Sequence, residues 1–71
     1  MERYSNRSGN SPITYYEAGS NFITVWFEKG KAYRYSYAKA GSYHVEQMKI
    51  LAVAGSGLCA YITHNVKYKY D

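Results

Sequence analysis

The sequence predicts an α+β fold: a three-stranded antiparallel meander covered on one face by one longer helix and a short C-terminal helix. Three stretches predict it. Phe22 to Phe27 is dense in β-branched and aromatic residues, which fit a half-buried pleated surface. Lys31 to Tyr37 alternates strictly, with Tyr33, Tyr35 and Tyr37 on one face and Ala32, Arg34 and Ser36 on the other. In the second half, Val45, Met48, Leu51 and Ala52 recur at helical spacing.

In chain order, residues 1–11 hold Ser, Asn, Gly and Arg with almost nothing apolar, and are expected to form a mobile arm. Arg3, Tyr4 and Arg7 could meet a polyanion there, against the plainer role of a solvated tail. A single domain is expected over residues 12–70. Pro12 can open a strand, because its missing N–H is tolerated at that place. Ile13 to Ala18 follows, and Ala18-Gly19-Ser20-Asn21 is a turn by composition.

The next turn is fixed by parity. A two-residue Lys29-Gly30 turn would set Ile23, Val25 and Phe27 beside Ala32, Arg34 and Ser36, burying an arginine in an apolar triplet. A three-residue loop, Glu28-Lys29-Gly30, pairs Phe27 with Lys31, Val25 with Tyr33 and Ile23 with Tyr35. Such loops want a left-handed residue at their third position, where Gly30 stands. The far face then carries Thr24, Trp26, Ala32, Arg34 and Ser36, with Trp26 and Arg34 as diagonal neighbours.

Gly41-Ser42 offers an N-cap, so the longer helix is expected from Ser42 to about Ala54, stopped by Gly55-Ser56-Gly57. A short helix fits Leu58 to about Val66, with Leu58, Tyr61, Ile62 and Val66 on one side. A fourth strand is the alternative there, because Tyr61-Ile62-Thr63 is β-prone.

The chain has 71 residues, enough for one small core that oligomerisation or binding often supplements. The lone Cys59 cannot close an internal disulfide, no zinc framework or cofactor motif is present, and a reducing interior is the simplest compartment. No apolar leader and no membrane-length run occur, so a cytoplasmic protein with no membrane partner is expected. Nine Lys and Arg against five Asp and Glu give a net charge of +4, a modest excess that favours polyanions. Ten tyrosines supply rigid amphipathic area suited to core walls and binding surfaces alike.

The order of these features resembles the KTSC domain. Asn10-Ser11-Pro12-Ile13 is similar to its start, Ile23, Val25 and Phe27 to its strand, and Gly30 to its turn. Tyr33-Arg34-Tyr35 resembles its central Tyr-x-Tyr motif, Ala54-Gly55-Ser56-Gly57 its second glycine region, and Tyr61, Ile62, Val66 and Lys67 its end. The likeness runs from about Ser11 to Tyr70. The family is a short bacterial and phage domain, found at the C-terminus of some lysyl-tRNA synthetases and also alone. It has no established activity to carry over, and its company in synthetases implies RNA binding only by association.

Trp26, Arg34, Lys31 and Tyr16 are the candidate stacking platform, because bases stack on aromatic and guanidinium planes while a basic rim holds phosphates. The competing role for Trp26 is packing beneath the N-terminal arm. Tyr33 and Tyr35, with Lys67 in the basic aromatic tail, complete the candidate nucleic-acid site, although the register also assigns both tyrosines to the core wall. Ser56 and Gly57, ahead of a helix, are candidate phosphate ligands, against the role of a helix–helix corner. Cys59, His44 and His64 have no motif relation, and a packed thiol with two surface histidines is expected rather than catalysis or a metal site. The expected function is therefore a small non-enzymatic module that binds RNA or another nucleic acid. The alternative is a protein-binding phage-type inhibitor or adaptor that acts on a host defence complex. Exposed sheet edges and the small core also suggest a homodimer.

Overall fold

Alternation of β-branched and aromatic residues gives the chain its sheet. In the computed structural model, which describes residues 1–7, 9 and 11–71, four strands pair antiparallel: β1 (Glu2–Arg3), β2 (Ile13–Ala18), β3 (Phe22–Phe27) and β4 (Ala32–Ser36), in the spatial order β1-β2-β3-β4. Three helices follow: α1 (Tyr37–Ala40), α2 (Ser42–Ala54) and α3 (Leu58–Tyr61). The last runs on into a π-helical segment, Ile62–Val66. The α+β class is the one the sequence predicts, but the sheet has four strands rather than three.

The extra strand corrects the expectation of a mobile arm. Glu2 and Arg3 pair with Tyr16 and Tyr15. Tyr4 is only 3% exposed. Its N–H donates to the Thr14 carbonyl at 2.9 Å, and its hydroxyl accepts from the Leu58 N–H at 3.3 Å. Asn6, at a φ of 52°, bonds Ser11 through both ends of its amide. Composition pointed to disorder because the arm is polar, yet one buried ring and an open edge of β2 dock it. Of the expected start Asn10-Ser11-Pro12-Ile13, Asn10 lies outside the described residues.

The hairpin has the three-residue loop. Ile23 faces Tyr35 and Val25 faces Tyr33, the Phe27 N–H reaches the Lys31 carbonyl at 2.8 Å, and Gly30 has a φ of 81°. In β2 the register slips between Ile13 and Tyr15. This bulge at Thr14 keeps Ile13 and Tyr16 on the core side and turns Tyr15 outward. Strand β4 ends one residue before the alternating pattern does. The Ser36 hydroxyl caps α1 by accepting from the Lys39 N–H at 3.3 Å, which takes Tyr37 out of the sheet.

Helix α2 has the expected bounds. Gly41, at a φ of 98°, supplies the cap through its backbone, and Ser42 already lies inside the helix. Gly55, left-handed at a φ of 78°, ends it by donating to the Leu51 and Ala52 carbonyls. Arg7 covers that end, its Nε donating to the Ala54 carbonyl at 2.9 Å, a favourable place for a cation on the helix dipole. Residues 58–66 are helical rather than a strand and bury Leu58, Ile62 and Val66. Those three pack with Val45, Met48 and Ala52 of α2 on the sheet face formed by Ile13, Ile23, Val25 and Tyr35. Each such large side chain contributes about 1.5–3 kcal/mol when removed from water. All the helices lie on this side, which leaves the opposite face of the sheet open. Among the described residues no helix is long and apolar enough to cross a membrane.

Candidate nucleic-acid interface

Residues paired across strands share a face, so the register writes out the open side row by row. One row is Arg3, Tyr15, Trp26 and Ala32. The next is Glu17, Thr24 and Arg34, and the third holds Phe22 and Ser36. Tyr15 and Trp26 are thus direct cross-strand neighbours, with Arg3 beyond Tyr15. Tyr15 is exposed and Trp26 is half-exposed, so their rings give a two-residue aromatic surface. A hollow of about 390 Å³, lined by Arg3, Ser5, Thr14 and Tyr15 among others, adjoins it.

Arg34 is diagonal to Trp26 as expected, but the ring it meets is another. Its guanidinium carbon lies 4.1 Å from the centroid of Phe22, a cation–π stack. The Phe22 ring in turn occupies the space where a side chain at Gly19 would stand. The guanidinium is therefore laid on a backed platform, and Arg34 is exposed. The face is mixed in charge, since Glu17 stands in the same row as Arg34, one row from Arg3.

The other expected site residues fall elsewhere. Tyr16 is opposite Val25 and packs on the core, so it is no part of the platform. Its neighbour Tyr15 takes that place, and the bulge at Thr14 is the reason. Lys31, opposite Phe27, is also on the core side. Tyr33 and Tyr35 line the core wall with Phe27, and Tyr70 from the C-terminal tail packs on both. Burial, reinforced by Tyr33 and Tyr70, pushes the Tyr35 hydroxyl up to about 12. Lys67 lies at the end of the π-helical segment on that same side, away from Trp26. The structure therefore brings Trp26 and Arg34 together with Tyr15, Phe22 and Arg3, and sets Tyr33, Tyr35, Lys31 and Lys67 apart from them.

At Ser56 and Gly57 the chain turns a corner that the arm fills. The Arg7 N–H donates to the Gly55 carbonyl at 2.7 Å, and a Cβ on Gly55 would lie 2.6 Å from that of Ser5. The Leu58 N–H, one donor a phosphate would use, is taken by Tyr4. Cys59 is half-buried against the core. His64 is exposed as expected, whereas His44 is half-buried, its Nδ1 2.7 Å from the Tyr61 hydroxyl. Burial, then the nearby Tyr43, raises the Tyr61 hydroxyl above its ordinary range. Among the described residues no three His, Cys, Asp or Glu side chains group to hold a metal ion.

No protein-family model, curated protein or solved structure compared with the chain matches it.

Proposed function

We propose that the chain is a non-enzymatic, KTSC-like cytoplasmic module that binds single-stranded RNA through the open face of its sheet. The observation that carries this is the pairing of Tyr15 with Trp26, flanked by Arg3 and by the stacked Arg34. Two adjacent rings suit two unstacked bases, which every sequence offers as π-faces. Arg3 and Arg34 suit the phosphates on either side, within a chain of net charge +4. The test is titration of a labelled oligouridylate at two salt concentrations. Binding that weakens steeply with salt is the expected result, and no salt-dependent binding overturns the proposal.

A second reading, a protein-binding inhibitor or adaptor of a host complex, draws on the outer side of α2. Tyr43, Ile50 and Val53 are all exposed there, at 69%, 60% and 73%, an unusual apolar stripe on a helix that already buries its other side. Such a contact would tolerate salt, unlike a phosphate contact. A homodimer is proposed on the same stripe rather than on the sheet edges. The edge of β2 is covered by β1, and the Arg34 carbonyl at the edge of β4 accepts from the Asp71 N–H at 2.7 Å. Light scattering across micromolar to millimolar concentration checks the dimer mass.

A further inference from the structure

On the helix side of the sheet, near the hairpin loop, Phe27 and Tyr33 are only partly buried against the core. Two hollows of about 290 and 280 Å³ open there, with those two rings as a common wall. Lys29 and Lys31 stand at the first. The second is bounded by Tyr35, Cys59, Ile62, Lys67 and Tyr70.

Tyr35 forms the floor of the second hollow and is 1% exposed. Among the described residues its hydroxyl has no hydrogen-bond partner, in contrast to the hydroxyls of Tyr4, Tyr37 and Tyr61. Yet among the described residues no buried side-chain oxygen is left enclosed without a partner. Its oxygen is therefore not fully enclosed, and the hollow that Tyr35 lines is an opening beside it. A ligand acceptor in the hollow would take the place of water on this hydroxyl.

The lining also has a sign. Lys67 lies on the rim in no ion pair among the described residues, and no carboxylate lines this hollow. The walls are aromatic, and the volume is at the small end of ligand pockets, room for one single or fused ring. We infer that this hollow binds a small organic anion built on an aromatic ring, the ring lying against Phe27 and Tyr33 and the anionic group meeting Lys67 and the Tyr35 hydroxyl. The site is on the opposite side of the sheet from Trp26, so it stands or falls separately from RNA binding.

Cys59 is the chain's one thiol and lines the hollow, which makes it an internal reporter. Indole-3-acetate serves as the probe and its neutral amide, indole-3-acetamide, as the control. Saturating indole-3-acetate should slow iodoacetamide alkylation of Cys59 at least threefold and shift the Ile62 methyl resonances. The amide should bind several-fold more weakly. Lys67→Gln, at an exposed position, should erase the difference between the two, and Tyr35→Phe should weaken both while the melting curve stays close to that of the parent. Unmoved Ile62 methyls overturn the inference. So does equal binding of acid and amide, which would mean apolar partition alone.

Discussion

The Arg34 guanidinium rests on the Phe22 ring, 4.1 Å from its centroid, and Phe22 rests where Gly19 has no side chain. Two residues of the β2–β3 turn and one of β4 thus set the pose of one cation on the open face. Arg34→Ala should weaken RNA binding and reduce the salt slope by about one counterion, if the guanidinium meets a phosphate. Gly19→Ala should act on the same term from a distance, because any Cβ there must displace the ring. Its expected signature is a several-fold affinity loss with the salt slope retained. Paired titrations at low and high salt separate the two, and an affinity unchanged by Gly19→Ala would mean that the stack does not position Arg34.

Tyr15 and Trp26 face each other across β2 and β3, whereas Tyr16 and Tyr35 point to the core. Each ring on the open face should contribute about 1–3 kcal/mol to single-strand affinity, read as the loss in Tyr15→Ala or Trp26→Ala. Neither change should lower the melting temperature as Tyr35→Ala should, for that substitution would open a core cavity costing about 3–5 kcal/mol. Titration and melting of the same samples give both quantities. A Tyr16→Ala variant that lost RNA affinity without losing stability would show that the two sides of β2 are exchanged.

Much of the sheet was legible because the side-chain period of two leaves little freedom. An arginine that must avoid the core fixes the loop length, the loop length demands a left-handed third residue, and Gly30 is there. The same pairing sets Lys31 opposite Phe27, so its absence from the platform was implicit in the register. Tyr16 was misplaced because a bulge adds one residue without any mark in a run such as Ile13-Thr14-Tyr15-Tyr16. The arm was misread because local polarity says nothing about a single ring that finds a pocket 54 residues away. Phe22 was legible as a strand residue, but its role under Arg34 depends on the space above Gly19, which only the folded turn defines.

Tyr35 should be the last tyrosine to ionise. Burial, then the neighbouring Tyr33 and Tyr70, raises its hydroxyl from the ordinary 10.0 to about 12. In the unfolded chain it would ionise near the ordinary value. Because the folded value is the higher one, the stabilisation it gives is complete below about pH 10. It is lost as pH climbs through the folded value of about 12. Absorbance near 295 nm should show a late component that Tyr35→Phe removes. Stability measured in denaturant should fall across that window in the parent and fall less in the variant. A single titration step shared by all tyrosines would contradict the burial of this side chain.

Tyr4 gives the clearest test of whether the N-terminal residues belong to the fold. Its ring is in the core and its hydroxyl accepts from the Leu58 N–H, at the start of α3, 3.3 Å away. Tyr4→Phe keeps the ring and strands that donor, which should cost about 1–3 kcal/mol. Tyr4→Ala removes the ring as well and should cost about 3–5 kcal/mol, the range for emptying an aromatic site. With the ring gone, β1 has only two paired residues to hold it. The residue-4 amide, bonded to the Thr14 carbonyl in the parent, should then exchange as fast as an unstructured one. Denaturant melts and amide exchange of the three proteins read both effects. A solvated tail would give three identical melts, and that result would return the sheet to three strands.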